Sequence, residues 1–428
     1  MRPAPLLLSF LLAAVPAVAA PAARSFEVDD ATTAVLVEDH RAPVVWIEID
    51  FPAGTWSPWA VREHVEEAFE IQMHDPAGVL RQRADRLGVS PRLSVGRRSS
   101  VVGVSCLKED LTGTLDLIRD LLAKRNFDRH ELSRRREERK ISWQAARREP
   151  GFAGRQAVSR VLFSPGDPRR RDLEKPARLL GDPARLAAAR DVLVRLPGRV
   201  IGFAGDLSLK EAEKAAAGLL PPAGGRPAGL DPDLRPVVPA NARKKSVTAR
   251  LPRLTQVYFA FGRDSLPFDD PEYPVFLVAD HVLGGHFYSR LLVALRHEGG
   301  ETYGAATLNL GDTVPGAYGL GTFTRAANAA VAEGKLREVL RLLHENGITE
   351  DERQAALGFL NGNRLFRRQS PDEVLERALR ERRLGLPPGF LDDAVERASS
   401  LTLDEINRFV FRFYDPAQFS MVRVAPAR

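Results

Sequence analysis

The chain has 428 residues, 44% of them hydrophobic and 28% charged, with a formal net charge of +6. This length exceeds one ordinary core and predicts two or more domains, and the composition excludes a disordered chain. The basic balance does not indicate nucleic acid. Its densest run, Arg134 to Lys140, is interleaved with Glu137 and Glu138 and followed by Ile141 and Trp143 at helical spacing, which reads as the solvated face of an amphipathic helix without stacking aromatics.

In chain order, Arg2, an apolar run from Leu6 to Val18 and the small residues Ala17-Val18-Ala19 predict a secretory signal over residues 1–19, cleaved after Ala19. The run is short for a bilayer span. The mature protein is therefore expected to be exported, periplasmic or secreted, with no membrane span. Thr32 to Glu38 and Val44 to Phe51 read as strands, the second alternating in Val44-Val45-Trp46-Ile47-Glu48-Ile49. A helix is expected from about Pro58 to Met73 and another from Val79 to Leu87, ended by Gly88. Strands at Arg92 to Val95 and Ser99 to Leu107 precede a helix from Leu111 to Arg125 and a long helix capped by Asp128. The only cysteine, Cys106, lies in an apolar strand-like run, which rules out an internal disulfide or a thiolate zinc site and predicts a buried structural thiol.

Gly198 to Asp206 reads as a strand ending in a turn, followed by a helix from Leu209 to Leu219. Residues 221–250 open with a stretch rich in Pro, Gly and Ala and read as a linker between domains at 25–220 and 251–428. Beyond it Val257-Tyr258-Phe259-Ala260-Phe261 starts a second series of strands and helices, closed by a helix at Leu403 to Phe413 and a terminal strand. The related order of the halves predicts a duplicated α+β unit: two homologous halves, each an antiparallel-rich sheet covered by helices.

The most telling stretch is Ser289-Arg290-Leu291-Leu292-Val293-Ala294-Leu295-Arg296-His297-Glu298-Gly299-Gly300-Glu301-Thr302-Tyr303-Gly304. The leucines repeat at helical spacing, Gly299 and Gly300 stop the helix, and an extended run opens at Thr302, so Arg296 leaves near a helix end and Tyr303 near a strand start. Alone, such an Arg would most often solvate a helix and such a Tyr pack on a sheet.

With the preceding Leu283-Gly284-Gly285-His286-Phe287-Tyr288, this block resembles that of the pitrilysin and insulinase superfamily of zinc metallopeptidases, which includes mitochondrial processing peptidase. The resemblance implies a pitrilysin-like α+β subunit in which Arg296 and Tyr303 bind substrate. An Arg fork can grip a peptide carbonyl or carboxylate, and a Tyr hydroxyl can donate to a developing oxyanion. Active members carry H-x-x-E-H on a first-half helix, two His as zinc ligands and the Glu as general base. This chain has eight His, none four residues from another. Its nearest remnant is His64-Val65-Glu66-Glu67-Ala68, a degenerate metal motif of His64 and Glu67 with Ala68 in place of the second ligand. Gln144 falls where the family has its further Glu.

The resemblance therefore implies a chain without a zinc cofactor of its own. It would be a non-catalytic, substrate-binding subunit whose zinc-bearing pitrilysin-like partner cleaves peptides or unfolded polypeptides. The alternatives are a structural or peptide-binding relative with no role in catalysis, and an active homodimeric peptidase in which His64, Glu67 and His74 gather zinc.

Overall fold

The computed structural model describes residues 21–57, 78–123, 129–170 and 183–427. The expected helix over 58–73, His64, Glu67, His74 and the cap Asp128 lie outside them.

Two sheets organise the chain. The first holds β1 (Ala23–Asp29), β2 (Thr32–Glu38), β3 (Val44–Phe51), β4 (Arg92–Val95), β5 (Ser100–Leu107) and β6 (Arg199–Gly205), in the order β1-β2-β6-β3-β5-β4. The second holds β7 (Ser246–Leu251), β8 (Gln256–Asp264), β9 (Ala305–Asn309), β10 (Ala317–Arg325) and β11 (Ser420–Pro426), in the order β7-β11-β8-β10-β9. Setting β1 aside, the two orders superimpose strand for strand. The directions do as well: β2–β6 and β7–β11 are parallel, and every other neighbouring pair is antiparallel. The expected duplication is thus visible as one five-strand plan used twice.

Alternation along the strands decides which face is core. Val45, Ile47 and Ile49 of β3 point into a cluster with Leu117, Ile118 and Leu121 of α2 (Leu111–Ala123). α1 (Val79–Arg86) packs beside α2. After α3 (Arg129–Ala146) and α4 (Pro150–Leu162), α5 (Pro183–Val194) and α6 (Leu209–Ala216) complete this first core, which also buries Cys106. In the second half α7 (Tyr273–Asp280), α9 (Ala329–Asn346), α12 (Phe390–Ser399) and α13 (Leu403–Phe413) cover the core face of β8 and β10, with Phe259, Phe276 and Leu340 fully enclosed. Reciprocal capping boxes start α6 (Ser208 with Glu211), α10 (Glu350–Phe366; Thr349 with Glu352) and α13 (Thr402 with Glu405), satisfying orphan donors at each N-terminus.

The opposite faces of the sheets exchange helices. α4, from the first half, lies over β8 and β11, where Ala153, Ala157 and Val158 meet Ala260, Val422 and Val424. α11 (Pro371–Arg383), from the second half, lies over β2 and β6, where Leu375 and Leu379 meet Val35, Val37 and Val200. Glycine makes both contacts close. A Cβ on Gly202 of β6 would sit 2.9 Å from both Leu375 and Leu379, and one on Gly262 of β8 would sit 2.5 Å from Val158. Polar contacts fix the C-terminal end of α11: the Arg382 guanidinium donates to Thr33 Oγ1 at 2.7 Å, and Arg383 pairs with Asp50 of β3 at 2.5 Å. Burial pushes the Asp50 carboxyl up to about 7 despite that guanidinium.

Three sequence expectations change. β1 is an additional edge strand, its pattern Ala-Arg-Ser-Phe-Glu-Val-Asp being mostly exposed and therefore weak. The last residues read as linker, Ser246 onward, form β7, which pairs in parallel with β11 at the sheet edge. Its Ser-Val-Thr-Ala-Arg-Leu alternation is obscured by the Pro-rich run before it. α3 has little apolar face: Ile141 is 59% exposed, because its few apolar residues are spread among charges.

Candidate functional site

The site is assembled where α7 gives way to a single π turn at His281–Gly285. After a loop, α8 (Arg290–Leu292) runs on as a second π turn at Val293–His297, where regular helix was expected. Single π turns of this kind tilt side chains off the helical repeat and recur at functional positions. Here the second one carries Arg296.

Gly284 explains the Gly-Gly pair. A Cβ on it would lie 2.6 Å from the backbone N of Thr307 and 2.9 Å from Leu291, so only glycine lets the first π turn lie against β9. Gly284→Ala is expected to cost about 1–3 kcal/mol as an overpacked contact. Gly334→Ala in α9, where nothing lies within 4 Å, is expected to be neutral or stabilising by up to ~1 kcal/mol. Urea unfolding of the two variants checks the contrast.

Arg290 anchors α8 by donating twice to the Glu352 carboxylate of α10, both at 2.7 Å, and once to the Gly347 carbonyl. The chain after the second π turn is pinned as firmly. Lys335 of α9 pairs with Glu301 at 3.0 Å across Gly299 and also donates to the Ala294 carbonyl. Thr324 Oγ1 donates to the Glu301 carbonyl at 2.6 Å, and Thr322 Oγ1 to the Gly304 carbonyl at 2.8 Å. Thr302 is buried. Tyr303 is therefore held by backbone on both sides while its own side chain is 85% exposed.

Arg296 is half-buried, its guanidinium carbon 4.8 Å from the centre of the Phe287 ring, an arrangement favoured by the ring's negative face. Phe287, Tyr288 and His297 form an exposed aromatic group around it. Both predicted residues, Arg296 and Tyr303, line one trough of about 520 Å³ on the face of the second sheet beside α4. Such a volume suits a peptide side chain with its neighbours. A guanidinium and a phenol on one apolar trough can hold a carbonyl or carboxylate and donate to an oxygen that gains charge.

Beneath the trough lies a polar chain that the sequence reading did not single out. Tyr318 of β10 donates to the Asp280 carboxylate at 2.9 Å and meets the Tyr414 hydroxyl at 3.3 Å. Burial raises the Asp280 carboxyl above its ordinary range, so the network ties the end of α7 to β10 below the site. The available signal was the alternation Ala317-Tyr318-Gly319-Leu320-Gly321-Thr322, small on one face and large on the other.

His281 is buried, its ring stacked against His286 (4.2 Å) and against the Phe359 ring (4.6 Å). Burial, helped by the His286 imidazole, pushes its pKa down to about 4. The unfolded chain thus takes up a proton near pH 6.5 that the folded chain refuses until about 4. Stability from His281 is full above the first value and lost as the pH falls toward the second. His281→Phe should show a smaller drop in urea midpoint between pH 7 and 5 than the native chain, measured in parallel.

The residues of this chain do not fit a pitrilysin-type zinc site. Ala68 offers no donor where the second ligand belongs, Gln144 of α3 is a neutral amide on an exposed position, and a structural or catalytic zinc needs three or more such donors. Among the described residues no group of three His, Cys, Asp or Glu is placed to hold a metal, and no helix is long and apolar enough to cross a membrane.

Two matching sheets, exchanged helices and an Arg–Tyr pair over a trough define a duplicated α+β protein. Residues 197–358, from β6 into α10, match the family described as Peptidase M16 inactive domain. That stretch, rather than the whole chain, carries the likeness to the M16 inactive-type domain. Among solved structures it is similar to a peptidase M16 inactive domain from Pseudomonas fluorescens, with 19% identity, TM-score 0.79 and coverage of 95% of this chain and 98% of that one. It is similar also to a protease from Helicobacter pylori, at 13% identity and TM-score 0.79, covering 95% and 100%. A third is the periplasmic protease PqqL from Escherichia coli, at 13% identity and TM-score 0.75, where 93% of this chain matches 44% of the longer one. These likenesses establish the fold. No curated protein matches by sequence.

Proposed function

We propose that this chain is the non-catalytic, substrate-binding subunit of an exported, heterodimeric pitrilysin-like metallopeptidase acting on peptides or unfolded polypeptides. The observation that carries the reading is that Arg296 and Tyr303 open onto one trough in a chain whose H-x-x-E-H position reads His64-Val65-Glu66-Glu67-Ala68. Arg296 positions the substrate backbone, and Tyr303 donates to the oxygen that becomes anionic during attack, while the partner supplies zinc and its activated water. The inactive-type domain at 197–358 supports the division of labour. The signal-like N-terminus and the fold likeness to a periplasmic protease support export.

Affinity capture of the tagged chain from its native host tests this. The expected result is a stoichiometric partner bearing an intact H-x-x-E-H. Capture of the chain without such a partner would favour the reading in which Arg296 and Tyr303 bind peptide with no turnover. Zinc bound stoichiometrically to the purified chain would instead favour the homodimeric reading with His64, Glu67 and His74 as ligands.

A further inference from the structure

The trough has a chemical character beyond the two residues that lead to it. Its floor is the outward face of β10 and β9, where Ala317, Gly319 and Gly321 lie beside Ala306 and Leu308. The glycines keep it low: a Cβ on Gly321 would already stand 3.0 Å from the Tyr258 hydroxyl. α4 covers β8 and β11 but barely reaches β10, leaving this part of the sheet face open.

Among the described residues that line the trough only two are charged, Arg155 of α4 and Arg296, and none is a carboxylate. Neither guanidinium has a carboxylate partner among the described residues. They belong to opposite sides, since α4 sits over β8 and α8 beside β9, with β10 between. Two interstrand spacings, about 10 Å, separate β8 from β9. An apolar floor between guanidiniums without carboxylate partners, Arg155 exposed and Arg296 half-buried, favours an occupant that is apolar in the middle and anionic at its ends, because each Arg gains from a carboxylate.

We propose that the trough is a specificity subsite for an extended peptide that seats an apolar side chain on the Gly319–Gly321 floor and sets carboxylates against Arg155 and Arg296. This rests on the reading of Arg296 as a substrate contact. The carboxylates can come from Asp or Glu side chains or from a peptide C-terminus.

Fluorescence polarisation with the full mature chain and labelled peptides separates these sources. The peptides share one apolar core, are flanked by Glu, Gln or Lys, and are made both amidated and as free acids. Glu-flanked peptides are expected to bind about 10-fold tighter than Gln-flanked ones, with Lys-flanked ones weaker again. A preference for Glu among amidated peptides assigns the carboxylates to side chains. A gain only in the free acids assigns one to the C-terminus. Ala306→Phe, at an exposed position, should fill the trough and weaken every peptide about 10-fold, and Arg155→Gln should reduce the Glu-over-Gln preference to the part due to Arg296 while binding of the apolar core persists. Equal affinities for the three flanks together with a silent Ala306→Phe would overturn the proposal. If Ala306→Phe is silent while Tyr303→Phe impairs the reconstituted pair, the subsite fails and the functional reading stands. If the peptides behave as expected while Tyr303→Phe leaves the pair unaffected, the subsite stands and the catalytic contribution fails.

Discussion

Tyr303→Phe is expected to lower turnover of the pair formed with a zinc-bearing partner by about 10²-fold or more, the usual cost of losing one oxyanion donor. Peptide affinity of the isolated chain should change little. The substitution removes one hydroxyl from a side chain that is 85% exposed and supports no core, so folding is not the variable. The backbone on either side is fixed by Thr322 and Thr324 of β10, and the ring of the Phe variant should therefore occupy the same place. A donor that acts only when charge develops on the substrate oxygen lowers kcat and kcat/KM together and leaves ground-state binding intact. Arg296→Ala should differ in kind. It removes a guanidinium that contacts the ground state as well, so KM rises along with any loss of kcat. Steady-state kinetics of the reconstituted pair, with unfolding curves to show equal stability, measures both.

Leu375→Ala is the second large effect, expected to cost about 2–5 kcal/mol. Leu375 is 1% exposed and belongs to α11, a second-half helix that closes the outer face of the first sheet. Its side chain rests on Gly202, where no Cβ fills the space that truncation would vacate. Because α4 makes the reciprocal contact on the second sheet, neither sheet has both faces covered by its own half. The variant should therefore unfold in one transition at lower urea, with both halves lost together. Leu365→Ala, at a position 57% exposed, should stay within about 0.5 kcal/mol of the native chain. Two separated transitions in the Leu375 variant would show the halves to be independent.

Much of this architecture was legible in the residues. β2, β3, β5 and β6 are dense in β-branched and aromatic residues, and the terminal helix and strand at Leu403 to Pro426 repeat the closure of the first half, so the duplication could be read from order alone. The Arg296–Tyr303 spacing was legible because glycines and leucines around it punctuate the chain. What the sequence concealed depends on long-range contacts. The helix exchange places α4 and α11 on sheets distant in sequence, and no local period announces which sheet a helix will cover. The π turns occur where Gly284 closely approaches Thr307 and next to the Arg290–Glu352 pair, long-range contacts that no local propensity announces. Asp280 and Tyr318 lie 38 residues apart, and their hydrogen bond exists only once α7 crosses β10. Arg155 joins the trough for the same reason, carried there by α4.

In the proposed function, this chain brings Arg296 and Tyr303 to a reaction whose metal belongs to another subunit. Peptide hydrolysis by the purified mature chain in added zinc, alone and then with the H-x-x-E-H partner, tests it most directly. The expected result is no chelator-sensitive cleavage by the chain alone, and cleavage on mixing that falls sharply when Tyr303 is replaced by Phe. Zinc-dependent cleavage by the chain alone, abolished by His64→Ala, would contradict it.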